Sequence, residues 1–112
     1  MNPMISIIIP VFNVEQYIGQ CLESIVSQTI DHSIIECIIV NDCTTDNSME
    51  FVNRQIEKCQ ANNDKITYKV INHINNMGVS TSRNDGLDAA KGEFVFFIDA
   101  DEYLIDEQLD LH

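Results

Sequence analysis

Two apolar runs that do not alternate with polar residues constrain the fold of this chain more than any other feature. They are MISIIIPVFN at residues 4–13 and IIECIIVN at residues 34–41, and both are rich in β-branched residues. Strands that are buried on both faces have this composition, and they occur mainly in parallel sheets covered by helices. We therefore predict two central strands, the first of which runs for four to five residues until Pro10 stops it.

Segments with helical periodicity alternate with the strands. Apolar residues recur every three or four positions over residues 14–28, and Asn13 is placed to cap the helix N-terminus. The other predicted elements are helices at about 46–61 and 79–90 and strands at 65–71 and 93–98. Phe94, Phe96 and Phe97 of the last strand are expected in the core. The pattern predicts an α/β fold, an open and largely parallel sheet with flanking helices, in a single domain over residues 1–112.

Charge and cysteine usage narrow the range of partners. Eighteen acidic residues against six Lys and Arg give a formal net charge of -12, which argues against nucleic acid or an anionic membrane as the main partner. An anionic ligand would need a cation to bridge it. The four cysteines lack C-x-x-C spacing and indicate reduced, mostly buried thiols. Neither a signal peptide nor an apolar run of about 20 residues is visible, so a cytoplasmic chain without a transmembrane segment is expected.

Polar residues gather where the predicted strands end, at residues 10–13, 41–46, 73–78 and 99–102. Ligands of open α/β sheets bind beyond the carboxyl ends of the strands. Asp42 and the pair Asp99 and Asp101 are therefore expected on one rim. His73 also falls near this rim, but no Cys, His or acid stands at ligand spacing from it, and we interpret it as a loop histidine.

Glycine-built nucleotide loops are missing from the sequence. It contains neither G-x-G-x-x-G after the first strand nor a G-x-x-x-x-G-K-[ST] P-loop. A nucleotide would then be held by side chains and a divalent ion. Asp99 and Asp101 are spaced to share Mg²⁺ or Mn²⁺, which prefers one or two carboxylates together with phosphate oxygens. Taken alone, D-x-D fits a solvated turn or a helix N-terminus equally well.

Several segments in register resemble one protein family. SIIIPVFNVEQYIGQCLESIVSQT, IIVNDCTTDNS and NNMGVSTSRNDGLDAAKGEFVFFIDADE stand in the order and at the separations typical of family 2 glycosyltransferases. The similarity runs from about Ile5 to Asp110 and concerns the N-terminal, donor-binding part of these enzymes. It implies a Rossmann-like nucleotide-diphospho-sugar transferase fold and a role in cell-envelope polysaccharide biosynthesis.

The resemblance implies a role for the first two strand ends. Pro10 and Phe12 match the residues that hold the nucleotide base, and Asp42 matches the acid that hydrogen-bonds it. Each has a structural alternative: Pro10 as a strand stop, Phe12 as a core residue, and Asp42 as a cap of the turn that follows it. Asp46 resembles the family's acidic turn residue but is also suited to capping the second helix.

The resemblance also implies roles for residues closer to the C-terminus. Arg83 in SRNDG matches the arginine that contacts base or diphosphate, and the less favoured alternative is a structural partner of Asp85 or Asp88. In D-x-D, Asp101 would bind the metal ion, Mn²⁺ or Mg²⁺, and Asp99 would lie near the ribose.

Two departures from the family pattern affect these expectations. The family usually has two acids followed by glycine, whereas this chain reads Asn41-Asp42-Cys43, so a Cβ enters the turn. The family's acceptor-binding half, which contains the general base, follows D-x-D by many tens of residues. We therefore expect that base beyond His112 and interpret the chain as a donor-binding part, truncated after D-x-D.

The implied activity is metal-dependent, inverting transfer of a sugar from a nucleoside-diphosphate donor, with UDP favoured, to a hydroxyl of a saccharide or lipid-linked acceptor. The alternative is a non-catalytic nucleotide-sugar binding or interaction module, because the acceptor half is absent. A nucleotidyltransferase is disfavoured since PVFNVEQY is neither glycine-rich nor basic. A peripheral membrane location of the full enzyme, and self-association through apolar surface, are further expectations.

Overall fold

The computed structural model describes residues 3–105 and Leu109. Parallel strands and α-helices alternate along this part of the chain, which confirms the predicted α/β fold. The elements are β1 (Ile5–Val11), α1 (Ile18–Val26), a 3₁₀ turn (His32–Ile34), β2 (Ile35–Asn41), α2 (Ser48–Ala61), β3 (Thr67–Asn72), α3 (Val79–Ala89) and β4 (Phe94–Phe97). The strand order in the sheet is β3-β2-β1-β4, and each pairing is parallel.

The central strands β1 and β2 carry the core on both of their faces. On one face Ile7 packs in a cluster with Leu22 of α1 and Val52 of α2. On the other face Ile8 packs in a second cluster against which Ala89 of α3 lies. Helices therefore cover both sides of the sheet, which explains why the two apolar runs of the sequence lack polar alternation.

Pro10 does not end β1, contrary to the prediction. The strand continues to Val11, whose backbone oxygen accepts the Asp42 N–H on the β2 side. Because successive residues present their backbone groups to opposite sides, Pro10 faces the β4 side, where the Ile8 oxygen accepts the Ile98 N–H. The N–H that proline lacks is the one that would continue this ladder. The two strands therefore separate and leave an opening at the carboxyl end of the sheet.

Asn13 does not cap α1, so this prediction is also wrong. Its backbone is left-handed, with a φ of 51°, and its Oδ1 accepts hydrogen bonds from the N–H groups of Thr45 and Asp46. The helix α1 begins only at Ile18, after a turn. Asn13 instead ties the end of β1 to the connection between β2 and α2.

The last strand is less buried than its apolar composition predicts. Phe94 and Phe97 are 47% and 46% exposed, and of the three phenylalanines only Phe96 is packed against a core cluster of the described residues. The physical reason is position, because β4 lies at the edge of the described sheet and pairs there with β1. Its composition alone does not distinguish an edge strand from a central one.

A buried carboxylate connects the strands at the amino end of the sheet. Glu36 of β2 is fully buried and accepts hydrogen bonds from the Ser6 hydroxyl at 2.7 Å and the Lys91 N–H at 2.6 Å. Lys69 Nζ of β3 lies 2.8 Å from its other oxygen. Burial raises the pKa of this carboxyl, but the contacts outweigh that effect and leave the pKa below its usual value. Glu36 thus joins three strands to the connection between α3 and β4.

Two predictions concerned the membrane and the cysteines. Within residues 3–105, no helix combines the length and the apolar content needed to cross a membrane. All four cysteines are free thiols, and Cys21, Cys37 and Cys59 are buried. Cys43, by contrast, is partly exposed beside Asp42 at the end of β2.

Candidate functional site

A cavity of about 510 Å³ opens at the carboxyl end of the sheet, where β1 and β4 separate. Its wall consists of the ends of β1 and β2, the first turns of α3 and the segment after β4. Six predicted site residues line it, although they come from four separate stretches of sequence: Pro10, Phe12, Asp42, Arg83, Asp99 and Asp101. The structure thus brings the predicted residues together, while their individual roles stay predictions.

The wall formed after β1 is mainly apolar. Phe12 is 45% exposed, so it is not a core residue, and Tyr17 of the following turn is 50% exposed and lines the same cavity. Pro10 and Val14 add apolar surface beside them, and Val79 approaches from α3. A planar, partly polar ring packs favourably on a surface of this kind.

Asp42 is almost completely buried at the end of β2, and its carboxylate meets the start of α3. Oδ1 accepts from the Met77 N–H at 2.7 Å and lies 2.9 Å from His73 Nδ1, while Oδ2 accepts from the Gly78 N–H at 3.0 Å. Asp42 therefore holds the two residues that precede α3, and not the turn that follows Asp42 itself. Burial raises the pKa of this carboxyl, but the hydrogen bonds outweigh burial and hold the pKa below its usual value. Oδ2 has one donor among the described residues and keeps acceptor capacity for a ligand.

His73 is the residue of this region whose importance the sequence interpretation missed. Its ring is 9% exposed and lies between two carboxylates, with Nδ1 2.9 Å from Asp42 and Nε2 2.7 Å from Asp85. The sheet register contains a signal for this contact. Asn41 of β2 pairs with Asn72 of β3, so Asp42 and His73 are the next residues at adjacent strand ends. The contact between His73 and Asp42 can be predicted from this register only if β2 and β3 are known to be neighbours.

Arg83 of α3 lines the cavity and contacts the segment after β4. Its Nη2 lies 2.8 Å from Asp99 Oδ1, so its ion-pair partner in the described chain is neither Asp85 nor Asp88. Arg83 Nε is buried and has no hydrogen-bond acceptor among the described residues. An unsatisfied buried N–H costs about 1–3 kcal/mol, so an oxygen of a ligand at this position would be stabilising.

Asp99 and Asp101 stand at the cavity wall on either side of Ala100. Glu102 forms hydrogen bonds within the turn that contains the two aspartates. Its side chain accepts the Asp99 N–H, and its backbone N–H donates to the Asp99 backbone oxygen. No cluster of three or more His, Cys, Asp or Glu side chains forms a metal site within the described ranges. The two cavity carboxylates nevertheless have the oxygen chemistry of Mg²⁺ and Mn²⁺ sites, in which phosphate and water oxygens complete the coordination.

The turn between β2 and α2 keeps its left-handed geometry without glycine. Cys43 has a φ of 60°, and its thiol donates to the Ile74 oxygen at 3.4 Å. This backbone region costs a residue with a side chain about 1–2 kcal/mol. Asp46 Oδ1 accepts the N–H of Ser48, the first residue of α2, but the N-cap position is Asn47, so Asp46 stabilises the turn before the helix and is not its N-cap as predicted.

Comparison with solved structures supports the fold and indicates the type of protein. A crystal structure of S. aureus TarS in complex with UDP-GlcNAc has a TM-score of 0.80 and 35% identity, covering 94% of this chain and 28% of that one. The mannosyltransferase PcManGT from Pyrobaculum calidifontis, in complex with GDP-Man and Mn²⁺, has a TM-score of 0.85 and covers 96% of this chain and 30% of that one. Its identity is 23%, so this likeness concerns the fold alone.

Comparison with known sequences identifies the family. A poly(ribitol-phosphate) beta-glucosyltransferase from Bacillus spizizenii is 37% identical over 105 residues, which are 94% of this chain and 16% of that protein. The chain therefore spans less than a third of the length of these relatives. The family description Glycosyl transferase family 2 matches residues 6–111. Because this match extends over nearly the whole sequence, the chain belongs to glycosyl transferase family 2.

Proposed function

We propose that this chain is the donor-binding domain of a glycosyltransferase and holds a nucleoside-diphosphate sugar, with UDP as the nucleotide, in the cavity at the carboxyl end of the sheet. One observation carries the proposal. Arg83, whose buried Nε lacks an acceptor in the described chain, lines one cavity together with Asp42, whose Oδ2 keeps acceptor capacity, and with the Asp99–Asp101 pair. The similarity to TarS, whose crystal structure contains UDP-GlcNAc, favours UDP.

The base end of the ligand would lie on the apolar wall. We infer that Pro10 and Phe12 pack against the ring and that Asp42 Oδ2 accepts its N–H. A ring without a donor at that position would place a group that cannot donate against this buried carboxylate oxygen, whose remaining acceptor capacity would stay unused. Sites that require a hydrogen bond reject such analogues far more strongly than apolar pockets reject a missing methylene.

The diphosphate would lie between α3 and the segment after β4. The Arg83 side chain is 40% exposed and would contact an oxygen of this group through its guanidinium, and Asp99, held by Arg83 Nη2, would lie near the ribose. Asp101 would hold Mg²⁺ or Mn²⁺. When bound, the ion neutralises the diphosphate and stabilises it as a leaving group. This contribution matters in a chain of net charge -12.

In the whole protein the activity would be sugar transfer with inversion to a hydroxyl of a saccharide or lipid-linked acceptor. The acceptor oxygen would attack the anomeric carbon from the side opposite the departing diphosphate. The similarity to a poly(ribitol-phosphate) beta-glucosyltransferase favours a role in cell-envelope polysaccharide synthesis. We infer a cytoplasmic location that is peripheral to the membrane.

Calorimetry with UDP-GlcNAc tests the proposal on the chain as it stands, after circular dichroism has shown that the sample is folded. We expect saturable binding that is tighter with Mn²⁺ than with EDTA. A folded sample that does not bind would reject the nucleotide site. Equal affinity in Mn²⁺ and EDTA would reject the role of the metal ion and leave the nucleotide site standing.

A second candidate is a nucleotide-sugar binding module without catalytic activity. It is favoured by the lining of the cavity. Among the described residues that line it, Asp42, Arg83, Asp99 and Asp101 are all given a role toward the donor, and none is assigned as a general base. Donor hydrolysis, measured as release of UDP from UDP-GlcNAc, separates the two candidates. Binding without release at saturating ligand would favour the module.

A further inference from the structure

His73 connects two carboxylates that belong to different elements. Asp42 stands at the end of β2 and Asp85 on α3, and they lie 2.9 Å and 2.7 Å from the two ring nitrogens. The side chains of His73 and Asp42 are only 9% and 5% exposed, whereas that of Asp85 is 42% exposed. In the part of the chain that the structure describes, these two acids are the charged groups that act on the ring.

This geometry requires both ring nitrogens to donate. A neutral imidazole carries a single N–H, so in either tautomer a nitrogen lone pair would face a carboxylate oxygen within 3 Å. The imidazolium satisfies both carboxylates. The hydrogen bonds to Asp42 and Asp85 accordingly raise the pKa of His73 above its usual value, against the opposing effect of burial.

The consequence for Asp42 is a fixed orientation. Oδ1 receives the His73 ring and the Met77 N–H, and Oδ2 receives the Gly78 N–H, so the carboxylate is held against rotation from three directions. In this orientation Oδ2 is the oxygen that retains acceptor capacity. The imidazolium also reduces the negative charge beside a cavity that is proposed to bind an anion.

We propose that His73 is a positioning residue of the nucleotide site: its ring helps to fix Asp42 for the ligand, and as an imidazolium it offsets negative charge there, so that nucleotide binding weakens when its proton is lost. This inference rests on the proposed function. Upon deprotonation Asp85 is the partner that moves, because it is partly exposed while Asp42 is held by two backbone N–H groups. The ligand then binds against one additional negative charge. We expect affinity to fall on the order of three- to tenfold as pH rises through the raised pKa of His73.

The test is calorimetry of UDP-GlcNAc from about pH 5.5 to about pH 8.5 at constant Mg²⁺, because histidine titrates in this range. UDP-GlcNAc suits the measurement since both of its phosphates are diesters with no proton to lose there. His73→Gln should bind at every pH with the weak affinity that the wild type reaches at high pH. Asp85→Asn keeps an acceptor for Nε2 but removes a charge, so it should move the transition to lower pH without abolishing it.

Nitrogen NMR of the imidazole provides a second readout that does not depend on ligand. The His73 signal is identified by its loss in His73→Gln, or by its response to Asp85→Asn if the first variant does not fold. We expect the pKa of His73 to lie above the usual value for histidine, about 6.5, and to be lower in Asp85→Asn. A His73 that titrates at or below the usual value in the wild type would overturn the inference.

The binding outcomes separate this inference from the function on which it rests. Wild-type affinity that stays constant while His73 titrates would overturn the positioning role alone, as would a transition that Asp85→Asn leaves in place. A folded protein that does not bind UDP-GlcNAc at any pH would reject the proposed function and this inference with it.

Discussion

Arg83 Nη2 meets Asp99 Oδ1 at 2.8 Å and thereby joins α3 to the segment after β4 beside the cavity. The two side chains are 40% and 50% exposed, so the pair contributes about 0–1 kcal/mol to stability. Its main effect is geometric. Asp99 holds the guanidinium in place at the cavity wall, where the proposed ligand would contact it.

Removing the Arg83 side chain should separate binding from stability. Arg83→Ala is expected to lower UDP-GlcNAc affinity about 10- to 100-fold, because a charged hydrogen bond to the diphosphate is lost. The free energy of unfolding should change by less than about 1 kcal/mol. Calorimetry and urea denaturation measure the two quantities. Arg54→Ala, which breaks an exposed pair with Glu50 on α2, is the matched control and should leave affinity unchanged.

Asp101→Asn should remove the effect of the metal ion on binding. The neutral amide is a much weaker ligand for Mg²⁺ or Mn²⁺ than a carboxylate, so the ratio of affinities measured with Mn²⁺ and with EDTA should fall to about one. Glu57→Gln makes the same chemical change at an exposed position of α2 and should keep the wild-type ratio. A normal ratio in Asp101→Asn would assign the ion to other residues.

Glu36→Gln should destabilise the fold by about 2–4 kcal/mol, because it leaves the Lys69 ammonium without its anion. The pKa of Glu36 is lowered in the folded state, so its contribution is present above the usual value of about 4.5 and is lost as pH falls through the lowered pKa. Urea denaturation at several pH values should therefore show a smaller loss of stability in acid for the variant. Glu93→Gln, at an exposed position, is the control. Parallel pH curves for wild type and Glu36→Gln would contradict the assignment.

Cys43→Gly should raise the free energy of unfolding by about 0.5–1 kcal/mol. Relief of the left-handed backbone is worth about 1–2 kcal/mol and exceeds the entropy that glycine adds to the unfolded chain. Cys43→Ala removes the thiol but retains a Cβ at a φ of 60°, so it should not stabilise the fold. Thermal and urea denaturation of both variants distinguish backbone strain from the loss of the thiol contact with Ile74.

The position of the cavity was predictable because parallel strands end at a common edge. That rule alone places Asp42 and Asp101 near each other, although the two residues are far apart in sequence. Their hydrogen bonds were not predictable in the same way. Asp42 accepts the N–H groups of Met77 and Gly78 just before α3, and these contacts depend on how the loop folds.

The errors at His73, at the last strand and at Pro10 have a common physical origin in the order of the strands. A residue pattern reports which faces of a strand are apolar, but it does not report which strands are neighbours. His73 contacts Asp42 because β3 lies beside β2 in the sheet. Phe94 and Phe97 are half-exposed because β4 lies at the edge of the described sheet. Pro10 is compatible with a central strand for the same reason, since its missing N–H falls on the side where pairing stops.

At the separation of β1 and β4 near Pro10, the backbone determines the opening and the side chains determine what the opening binds. The opening lies where the Pro10 backbone has no N–H to donate to β4. The choice of ligand depends instead on side chains that line the cavity, such as Phe12 and Arg83, and these can be exchanged. Mutational drift or deliberate redesign of those side chains would therefore alter ligand preference while the opening persists. A residue with a backbone N–H at position 10 would restore the donor that this ladder lacks, so a change of backbone there bears on the opening itself and not on the preference of its lining.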